Sequence, residues 1–380
     1  MDIETRLARV GLGSDPATGA VSTPIHPSST YAHPGLGETT GFDYARTGNP
    51  TRQVLERALA DLEGGVAGFA FASGMAALTT FFLLFRPGDH VVVSDDLYGG
   101  TYRLLEQVFR RFNVRASYAD LTDREAAATA ITSDTRALLL ETPSNPLMKV
   151  ADLVALADLS RSRGVLLAVD NTFLTPYYQR PLELGADLVI HSATKYLGGH
   201  NDLLAGVLVA READLAHRLG FLHNTTGPVL PPQDSWLLLR SLKTLGVRLK
   251  RQSESAAHLA GFLREQASVT QVFYPGFEDH PGHRVMRRQT SGFGGMLSFR
   301  LADPERVPGF LKALRCVTFA ESLGGVETLV TVPSRQTHCD IPPLVRERMG
   351  VTDDLLRLSV GLEAPQDLIK DLDRALKAAP

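Results

Sequence analysis

The chain has 380 residues, of which 44% are hydrophobic and 21% are charged, with a net charge of −3 at pH 7. This composition predicts a globular protein with a large core, and its slightly acidic balance argues against a nucleic-acid partner or a membrane anchor. No apolar run reaches the roughly 18 residues of a membrane-spanning helix, and the start, MDIETRLARVGLGSD, lacks a signal-peptide core. We expect a cytoplasmic protein whose two cysteines, Cys316 and Cys339, stay reduced.

The N-terminal segment, residues 1–52, is rich in proline, glycine, serine and threonine. Such a long irregular segment is either disordered or functional. Its aromatic residues Tyr31, Phe42 and Tyr44 argue against disorder, because they need a surface to pack against. We therefore predict an N-terminal arm that reaches a neighbouring subunit.

Residues 53–245 alternate short apolar runs with helical segments, which is typical of a mostly parallel sheet covered on both faces. The predicted helices cover residues 53–65, 74–85 and 151–164. The predicted strands cover residues 67–73, 89–96, 136–142, 165–171 and 186–192. We predict that residues 53–245 form one domain.

Residues 246–380 are predicted to form a second, smaller domain. One or two long helices over residues 235–266 lead into it, and segments 294–301 and 355–363 alternate like strands. Residues 365–379 predict a closing amphipathic helix. The expected architecture is α/β, with a smaller α+β C-terminal domain.

Polar residues follow five of the predicted strands at the point where each strand ends. Because ligands of open α/β sheets bind beyond the carboxyl ends of the strands, these residues are expected to converge on one site. They are Ser73, Gly74, Met75, Tyr98, Glu141, Asn145, Asp170, Ser192, Thr194 and Lys195. Each one alone also fits ordinary turn chemistry, but their convergence indicates a binding site.

This set of residues matches the chemical needs of pyridoxal 5′-phosphate. The Lys195 amine can condense with the aldehyde of that cofactor, and burial would lower its pKa toward the reactive free amine. Asp170 can keep the pyridine nitrogen protonated, and the Tyr98 ring can stack on the pyridine. Hydroxyl groups and the predicted helix start after Ser73 suit the phosphate. We find no metal-type spacing and no glycine motif for nucleotides, so no metal ion is expected.

Eight motifs in order along the chain resemble the transsulfuration enzymes of Cys/Met metabolism. The motifs are YARTGNPT, ASGMAA, DLYGGTYRL, ETPSNP, VDNTF, HSATKYLGGHND, ESLGGVE and LLRLSVGLE. The resemblance covers nearly the whole chain and is closest to bacterial cystathionine γ-synthases and γ-lyases. It implies the type I fold of pyridoxal phosphate proteins, similar to aspartate aminotransferase. It also implies amino-acid substrates and a homotetramer, a dimer of dimers with shared active sites.

The resemblance implies a role for the residue at each matching position. Lys195 and Tyr98 are the implied catalytic residues. The implied cofactor-binding residues are Lys195, Asp170, Tyr98, Gly74, Met75, Ser192 and Thr194, with Tyr44 and Arg46 reaching the phosphate of the neighbouring subunit. The implied substrate-binding residues are Arg357, Asn145, Ser322, Glu321 and Arg103. Arg357 would bind the substrate α-carboxylate through two N–H donors of its guanidinium group.

Only a few positions in the sequence distinguish among the reactions that members of this family catalyse. Glu321 resembles the residue of cystathionine synthases and γ-lyases, whereas Gly100 stands where methionine γ-lyases usually carry cysteine. GGHND and QTHCDIP look closer to bacterial cystathionine γ-synthases than to lyases. The predicted reaction is therefore a γ-replacement that forms L-cystathionine from O-acetyl- or O-succinyl-L-homoserine and L-cysteine. The alternatives are a cystathionine γ-lyase releasing cysteine, ammonia and 2-oxobutanoate, an O-acetylhomoserine sulfhydrylase side activity, and a non-catalytic relative.

Overall fold

The computed structural model describes residues 1–378. Its N-terminal region contains a short helix, α1 (Ile3–Ala8), followed by an irregular segment and helix α2 (Pro50–Glu63). Asn49 caps α2 by accepting hydrogen bonds from two backbone N–H groups, and proline suits the first helical position because it has no N–H to leave unpaired. Helix α2 therefore begins three residues before the predicted start at 53, and α1 lies in a segment that was predicted to be irregular.

A seven-stranded sheet forms the centre of the larger part of the chain. Its strands are β1 (Ala67–Phe71), β2 (His90–Ser94), β3 (Arg115–Ala119), β4 (Thr135–Glu141), β5 (Leu166–Asp170), β6 (Leu188–Ser192) and β7 (Gly206–Ala210). Their order is β1-β7-β6-β5-β4-β2-β3, and only β7 runs against the other six. The prediction of a mostly parallel sheet is confirmed. The carboxyl ends of all five predicted strands lie at the same edge.

Two hydrophobic cores cover the two faces of this sheet. Along β2, Val92 packs into one core, whereas Val91 and Val93 pack into the other, as the alternation of side chains in a strand requires. The helices that follow α2 in this part of the chain are α3 (Gly74–Phe82), α4 (Gly99–Arg103), α5 (Arg124–Ala130), α6 (Leu153–Arg163), α7 (Thr175–Tyr178), α8 (Ala213–Thr226) and α9 (Pro232–Leu242). Burial on both faces explains why the strands are apolar along their whole length.

The C-terminal part of the chain is built on a second sheet of five strands. Helix α10 (Leu245–Arg264) leads into it, so the predicted helical segment 235–266 consists of two helices. The strands are β8 (Val269–Phe273), β9 (Met296–Leu301), β10 (Thr318–Phe319), β11 (Leu329–Thr331) and β12 (Leu355–Ser359), in the order β10-β11-β12-β9-β8. The helices are α11 (His283–Gln289), α12 (Val307–Ala313), α13 (Pro343–Met349) and α14 (Pro365–Ala378).

The chain thus has two sheets, each with its own core, as the α/β prediction with a smaller α+β part requires. The division into an arm and two domains at residues 52 and 245 stays a prediction. Residues 379 and 380, at the end of the predicted second domain and its closing helix, lie outside the described residues. None of the helices in residues 1–378 combines the length and the hydropathy needed to traverse a bilayer.

Candidate active site

A cavity of about 390 Å³ lies at the carboxyl edge of the seven-stranded sheet and is closed on its other side by loops and a strand of the second sheet. The predicted site residues that line it are Gly74, Met75, Tyr98, Asn145, Asp170, Ser192, Thr194, Lys195, Glu321, Ser322 and Arg357. The cavity is also lined by Ser73 and Glu141, which end predicted strands, and by residues to which the sequence assigned no role: Leu78, Pro143, Thr172, Phe173, Leu204, Leu323 and Thr337. Residues from both ends of the chain therefore meet in one concave site.

Lys195 lies in a tight turn that follows β6. The turn is closed by hydrogen bonds from the Lys195 N–H to Ser192 O (3.1 Å) and from the Gly199 N–H to Lys195 O (2.6 Å). Gly199 has a φ of +68°, and a Cβ there would lie 2.1 Å from the guanidinium of Arg248. The positive φ and the close guanidinium favour glycine at position 199, and a Cβ at Gly198 would lie 2.8 Å from Ala193 O, so both glycines after Lys195 suit the turn.

The Lys195 amine is directed into the cavity, where it donates a hydrogen bond of 2.9 Å to Ser322 Oγ. Burial lowers the pKa of Lys195 to about 8, and Arg357 acts in the same direction. The amine is consequently unprotonated far more often near neutral pH than that of an exposed lysine. This is the property that an amine needs to attack an aldehyde.

Two carboxyl groups lie side by side at the ends of neighbouring strands. Asp170 of β5 and Glu141 of β4 are paired in register. Asp170 Oδ1 accepts hydrogen bonds from the N–H (3.0 Å) and the hydroxyl (2.5 Å) of Thr172, and Glu141 Oε1 accepts one from the Tyr98 N–H (2.9 Å). Burial raises the pKa of both acids, and the charge of Asp170 raises that of Glu141 further. A cationic ring atom beside Asp170 would stabilise this pair, so the site fits a protonated pyridine nitrogen.

The start of α3 packs closely against the end of β6. A Cβ at Gly74 would lie 3.0 Å from Ser192 Cβ, and a Cβ at Gly206 would lie 2.1 Å from Ser73 O. Ser73 caps α3 by accepting a hydrogen bond of 3.1 Å from the Ala76 N–H. The first-turn N–H groups of α3 therefore lie beside the hydroxyl groups that follow β6. N–H groups at a helix start together with hydroxyl groups suit a phosphate.

Arg357 lies on β12 and is only 1% exposed. Its Nη1 donates a hydrogen bond of 2.7 Å to Asn145 Oδ1, and its Nη2 donates to Ser322 O (3.1 Å) and Thr331 Oγ1 (3.2 Å). Its Nε has no hydrogen-bond partner within the described residues. Burial lowers the pKa of Arg357 to about 10, which still leaves it a cation at neutral pH. A buried cation that keeps a free donor fits a carboxylate ligand.

The loop that carries Asn145 is held by the buried carboxylate of Asp96. Asp96 Oδ2 accepts hydrogen bonds from the Ser144 hydroxyl and from the Leu147 N–H (3.1 Å), on the two sides of Asn145. Burial raises the pKa of Asp96 to about 6. Asp96 was not among the predicted site residues, although its position at the end of the predicted strand 89–96 was a signal that could have identified it.

His338 connects the Asn145 loop to the loop that follows β2 and to its own loop. Its Nε2 lies 3.1 Å from Leu97 O and 3.1 Å from Asn145 O, and its Nδ1 lies 2.8 Å from Thr337 Oγ1. Burial lowers the pKa of His338 to about 4, so the ring is neutral and fixed among these partners. His338 was not among the predicted site residues, because Leu97 and Asn145 are far from it along the chain.

Three predicted site residues lie outside the cavity of the single chain. Tyr44 is 50% exposed, and Arg46 donates a hydrogen bond of 2.6 Å to Asn224 O at the surface. Arg103 forms an ion pair with Asp340 instead of lining the cavity. The predicted contact of Tyr44 and Arg46 with a neighbouring subunit stays a prediction.

Comparison with known proteins identifies the family. Residues 4–377 match the family model described as "Cys/Met metabolism PLP-dependent enzyme". The chain belongs to this family. Membership implies pyridoxal 5′-phosphate as the cofactor, and the buried lysine, the paired acids and the cluster of donors at the start of α3 fit that group.

Members of this family with several activities are similar to the chain. A cystathionine gamma-synthase/O-acetylhomoserine (thiol)-lyase of Bacillus subtilis is 52% identical, over 98% of this chain and 96% of the relative. A cystathionine gamma-lyase of the same organism is 49% identical over 99% and 100%, and a cystathionine beta-lyase of Lactococcus lactis is 48% identical over 99% of each. Sequence identity alone therefore supports the family without separating these activities.

A solved structure of the same family confirms the fold. The cystathionine gamma-lyase from Lactobacillus plantarum complexed with L-serine superimposes with a TM-score of 0.98 and is 44% identical, over 100% of this chain and 99% of that one. The predicted type I fold of pyridoxal phosphate proteins is thus confirmed.

Proposed function

We propose that the chain catalyses a γ-replacement that forms L-cystathionine from an O-acyl-L-homoserine, either acetyl or succinyl, and L-cysteine. The observation that carries this proposal is a second cavity of about 530 Å³ beside the first, with which it shares Thr194, Leu204, Glu321 and Ser322. A second amino acid needs this room, and so does the far half of cystathionine; the choice of replacement over elimination rests on GGHND and QTHCDIP, which look closer to γ-synthases than to lyases. The Glu321 carboxylate, between the two cavities, suits the ammonium group of the second amino acid.

In this proposal the residues at the strand ends hold pyridoxal phosphate. Gly74, Met75, Ser192 and Thr194 bind its phosphate, Asp170 pairs with the ring nitrogen, Tyr98 stacks on the ring, and Lys195 is the covalent anchor. When bound, the cofactor supplies an electron-withdrawing ring that stabilises negative charge on the substrate carbons. The support for these roles is that all seven residues line one cavity.

Arg357 binds the substrate α-carboxylate through its free Nε donor, and Asn145 and Ser322 keep the guanidinium in place. This buried anchor fixes one end of the substrate, so its side chain extends toward the open mouth of the cavity, where Glu321 is exposed. The orientation brings the substrate Cα and Cβ close to the amine of Lys195. Binding therefore positions the protons that the reaction must move.

The Lys195 amine accepts protons from the substrate carbons, because its pKa of about 8 leaves a useful fraction unprotonated at neutral pH. Its hydrogen bond to Ser322 Oγ keeps the amine on one side of the cavity. Tyr98 is the second proton-transfer group. Burial raises the pKa of Tyr98, so its hydroxyl stays protonated and can donate a hydrogen bond to the carboxylate that leaves when the bond between Cγ and the ester oxygen breaks.

We also propose a homotetramer, a dimer of dimers, with shared active sites. The arm of residues 1–52 would bring Tyr44 and Arg46 to the cofactor phosphate of a neighbouring subunit, while residues 53–245 and 246–380 form the cofactor-binding and C-terminal domains. The support is that both side chains are exposed in the single chain. Light scattering tests the assembly, and Arg46→Ala should weaken pyridoxal phosphate binding if the arm contributes to it.

Cystathionine γ-lyase activity is the second candidate function. It is supported by the Bacillus subtilis relative of that name, which is 49% identical. The same lysine, arginine and tyrosine would serve an α,γ-elimination that gives cysteine, ammonia and 2-oxobutanoate. Use of sulfide with O-acetylhomoserine is a possible side activity, in line with the name of the other Bacillus subtilis relative.

Product identification tests the proposal. The purified protein loaded with pyridoxal phosphate is incubated with O-acetyl- or O-succinyl-L-homoserine plus L-cysteine, and separately with L-cystathionine alone. Formation of cystathionine from either ester supports the γ-replacement, and its absence from both reactions rejects it. Faster release of 2-oxobutanoate from cystathionine alone identifies a lyase. A protein that does not turn yellow with pyridoxal phosphate would be a non-catalytic relative.

A further inference from the structure

Arg103 and Asp340 form an ion pair next to elements that line the candidate active site, and the charge of Arg103 acts on the cavity-lining Tyr98. Arg103 Nη1 donates to Asp340 Oδ2, and the two side chains are 49% and 42% exposed. Arg103 is the last residue of α4, which follows the cavity-lining Tyr98, and Asp340 lies three residues after the cavity-lining Thr337. The pair thus connects two elements that each contribute a wall of the cavity.

The position of Asp340 is fixed by the packing of its loop. A Cβ at Gly99 would lie 2.2 Å from Thr337 O, so the start of α4 and the Asp340 loop are in direct contact. His338, two residues before Asp340, is fully buried and hydrogen-bonded to the loops that follow β2 and β4. These contacts hold the backbone just before Asp340 beside the start of α4, which places the exposed Asp340 side chain within reach of Arg103.

Within the single chain, the charges around the cavity leave little to attract a second carboxylate on the substrate, and the proposed Arg46 of a neighbouring subunit is assigned to the cofactor phosphate. Within residues 1–378, the cations that line the cavity are Lys195 and Arg357. Lys195 is the proposed cofactor anchor, and Arg357 is buried and assigned to the α-carboxylate. At the mouth itself, Glu321 is exposed and negative, and the charge of Arg103 is balanced by Asp340.

We propose that Asp340 makes the site selective for a homoserine ester with a neutral acyl group, such as acetyl, over one whose acyl group carries a carboxylate, such as succinyl. The inference rests on the proposed γ-replacement and names its substrate class. With Asp340 in place, an anionic acyl group meets a balanced ion pair and the negative Glu321. Without Asp340, Arg103 is free to donate charge-assisted hydrogen bonds to that acyl carboxylate.

The test compares kcat/KM for O-acetyl- and O-succinyl-L-homoserine at saturating L-cysteine. The wild type should prefer the acetyl ester. Asp340→Ala should raise the succinyl-to-acetyl ratio about tenfold, the effect of one charge-assisted hydrogen bond, mainly through a lower KM for the succinyl ester. Asp340→Asn should raise it by a smaller factor, and it serves as the second variant if the alanine protein folds poorly. Adding Arg103→Gln to Asp340→Ala should abolish the gain.

A matched control is Asp279→Ala, which breaks an exposed aspartate–arginine pair with Arg264 in the C-terminal part of the chain. It should leave the ratio unchanged. A wild type that prefers the succinyl ester, or an unchanged ratio in both Asp340 variants, would overturn the inference. Absence of cystathionine from both esters would instead reject the proposed function.

An equilibrium measurement tests the charge effect independently of turnover. Calorimetry would compare L-2-aminoadipate, which has a side-chain carboxylate, with L-norleucine, which has none. Asp340→Ala should tighten binding of L-2-aminoadipate about tenfold and leave that of L-norleucine unchanged. Equal effects on the two ligands would contradict the inference even if the protein proved to be a lyase.

Discussion

Asn145 Oδ1 accepts a hydrogen bond of 2.7 Å from Arg357 Nη1, although the two residues belong to different sheets of the molecule. Asn145 lies in the loop after β4 of the larger sheet, and Arg357 lies on β12 of the smaller one. The bond holds the buried guanidinium in place, and Nε is left without a hydrogen-bond partner among the described residues. In the proposed function, binding of the substrate carboxylate would therefore depend on the contact between the two parts of the chain.

Replacing Arg357 with lysine should weaken substrate binding without releasing the cofactor. Lysine keeps the charge but loses the planar set of donors that reaches Asn145, Ser322 and a carboxylate together. One lost charge-assisted hydrogen bond should raise the KM for the amino-acid substrate about 10- to 100-fold. Steady-state kinetics and the absorption spectrum of the bound cofactor provide the measurements.

The matched control for that variant is Arg300→Lys. Arg300 lies on the same sheet and pairs with Asp354 at 3.1 Å, but it does not line the cavity. Its replacement should leave the KM unchanged. An unchanged KM in the Arg357 variant would show that another group binds the α-carboxylate.

Lys195→Ala should abolish both the covalent attachment of the cofactor and the proton transfers. We expect turnover to fall by about 10³-fold or more, since loss of a proton-transfer group alone costs roughly 10²- to 10⁴-fold. The absorption band of the lysine–cofactor bond should disappear. Lys149→Ala is the control, because Lys149 is part-buried and pairs with Asp95 at 3.0 Å outside the cavity. Undiminished turnover together with an intact band in the Lys195 variant would refute its assignment.

The lowered pKa of Lys195 predicts how fast cofactor-free protein takes up pyridoxal phosphate at different pH. The amine must be unprotonated to attack the aldehyde, and burial lowers its pKa to about 8. The rate should therefore rise about tenfold per pH unit below 8 and become level above it. Stopped-flow absorption between pH 7 and 10 measures this profile. A rate that kept rising to pH 10 would indicate an ordinary, solvent-exposed lysine.

The local sequence predicted five strands of the larger sheet that are buried on both faces. The five apolar runs became β1, β2, β4, β5 and β6, because strands buried on both faces must be apolar throughout. Strand β3, RASYA, was missed because it is an edge strand with an exposed arginine and half-buried side chains. Strand β7, GVLVA, was also missed, although it is buried throughout. Its antiparallel direction could not have been predicted, since no local pattern encodes the direction of a strand.

The candidate site, too, could be predicted only in part. The residues that follow strand ends could be placed together because the sheet itself brings them to one edge. The partners of Arg103 and His338 could not, because Asp340 and Asn145 are 237 and 193 residues away along the chain. Such contacts depend on how the two sheets pack. A single aspartate or histidine in a sequence does not indicate which distant residue it will contact.

Asp96 should prove to be a positioning residue for substrate binding. Its carboxylate holds the Ser144 hydroxyl and the Leu147 N–H on both sides of Asn145, which in turn orients Arg357. Asp96→Ala should raise the KM for the amino-acid substrate about tenfold and change kcat by no more than about twofold, since Asp96 does not line the cavity. Asp96→Asn keeps an oxygen acceptor and should recover most of the loss.

Asp371→Ala is the control that separates this role from a purely structural one. Asp371 is also a buried aspartate, and it accepts hydrogen bonds of 2.9 to 3.2 Å from the N–H groups of Arg315, Cys316 and Val317, far from the cavity. Its loss should lower the melting temperature and leave the KM unchanged, because removing a buried acceptor costs about 1–3 kcal/mol of stability. If Asp96→Ala behaved in the same way, with lower stability and an unchanged KM, then Asp96 would stabilise the loop without orienting Arg357.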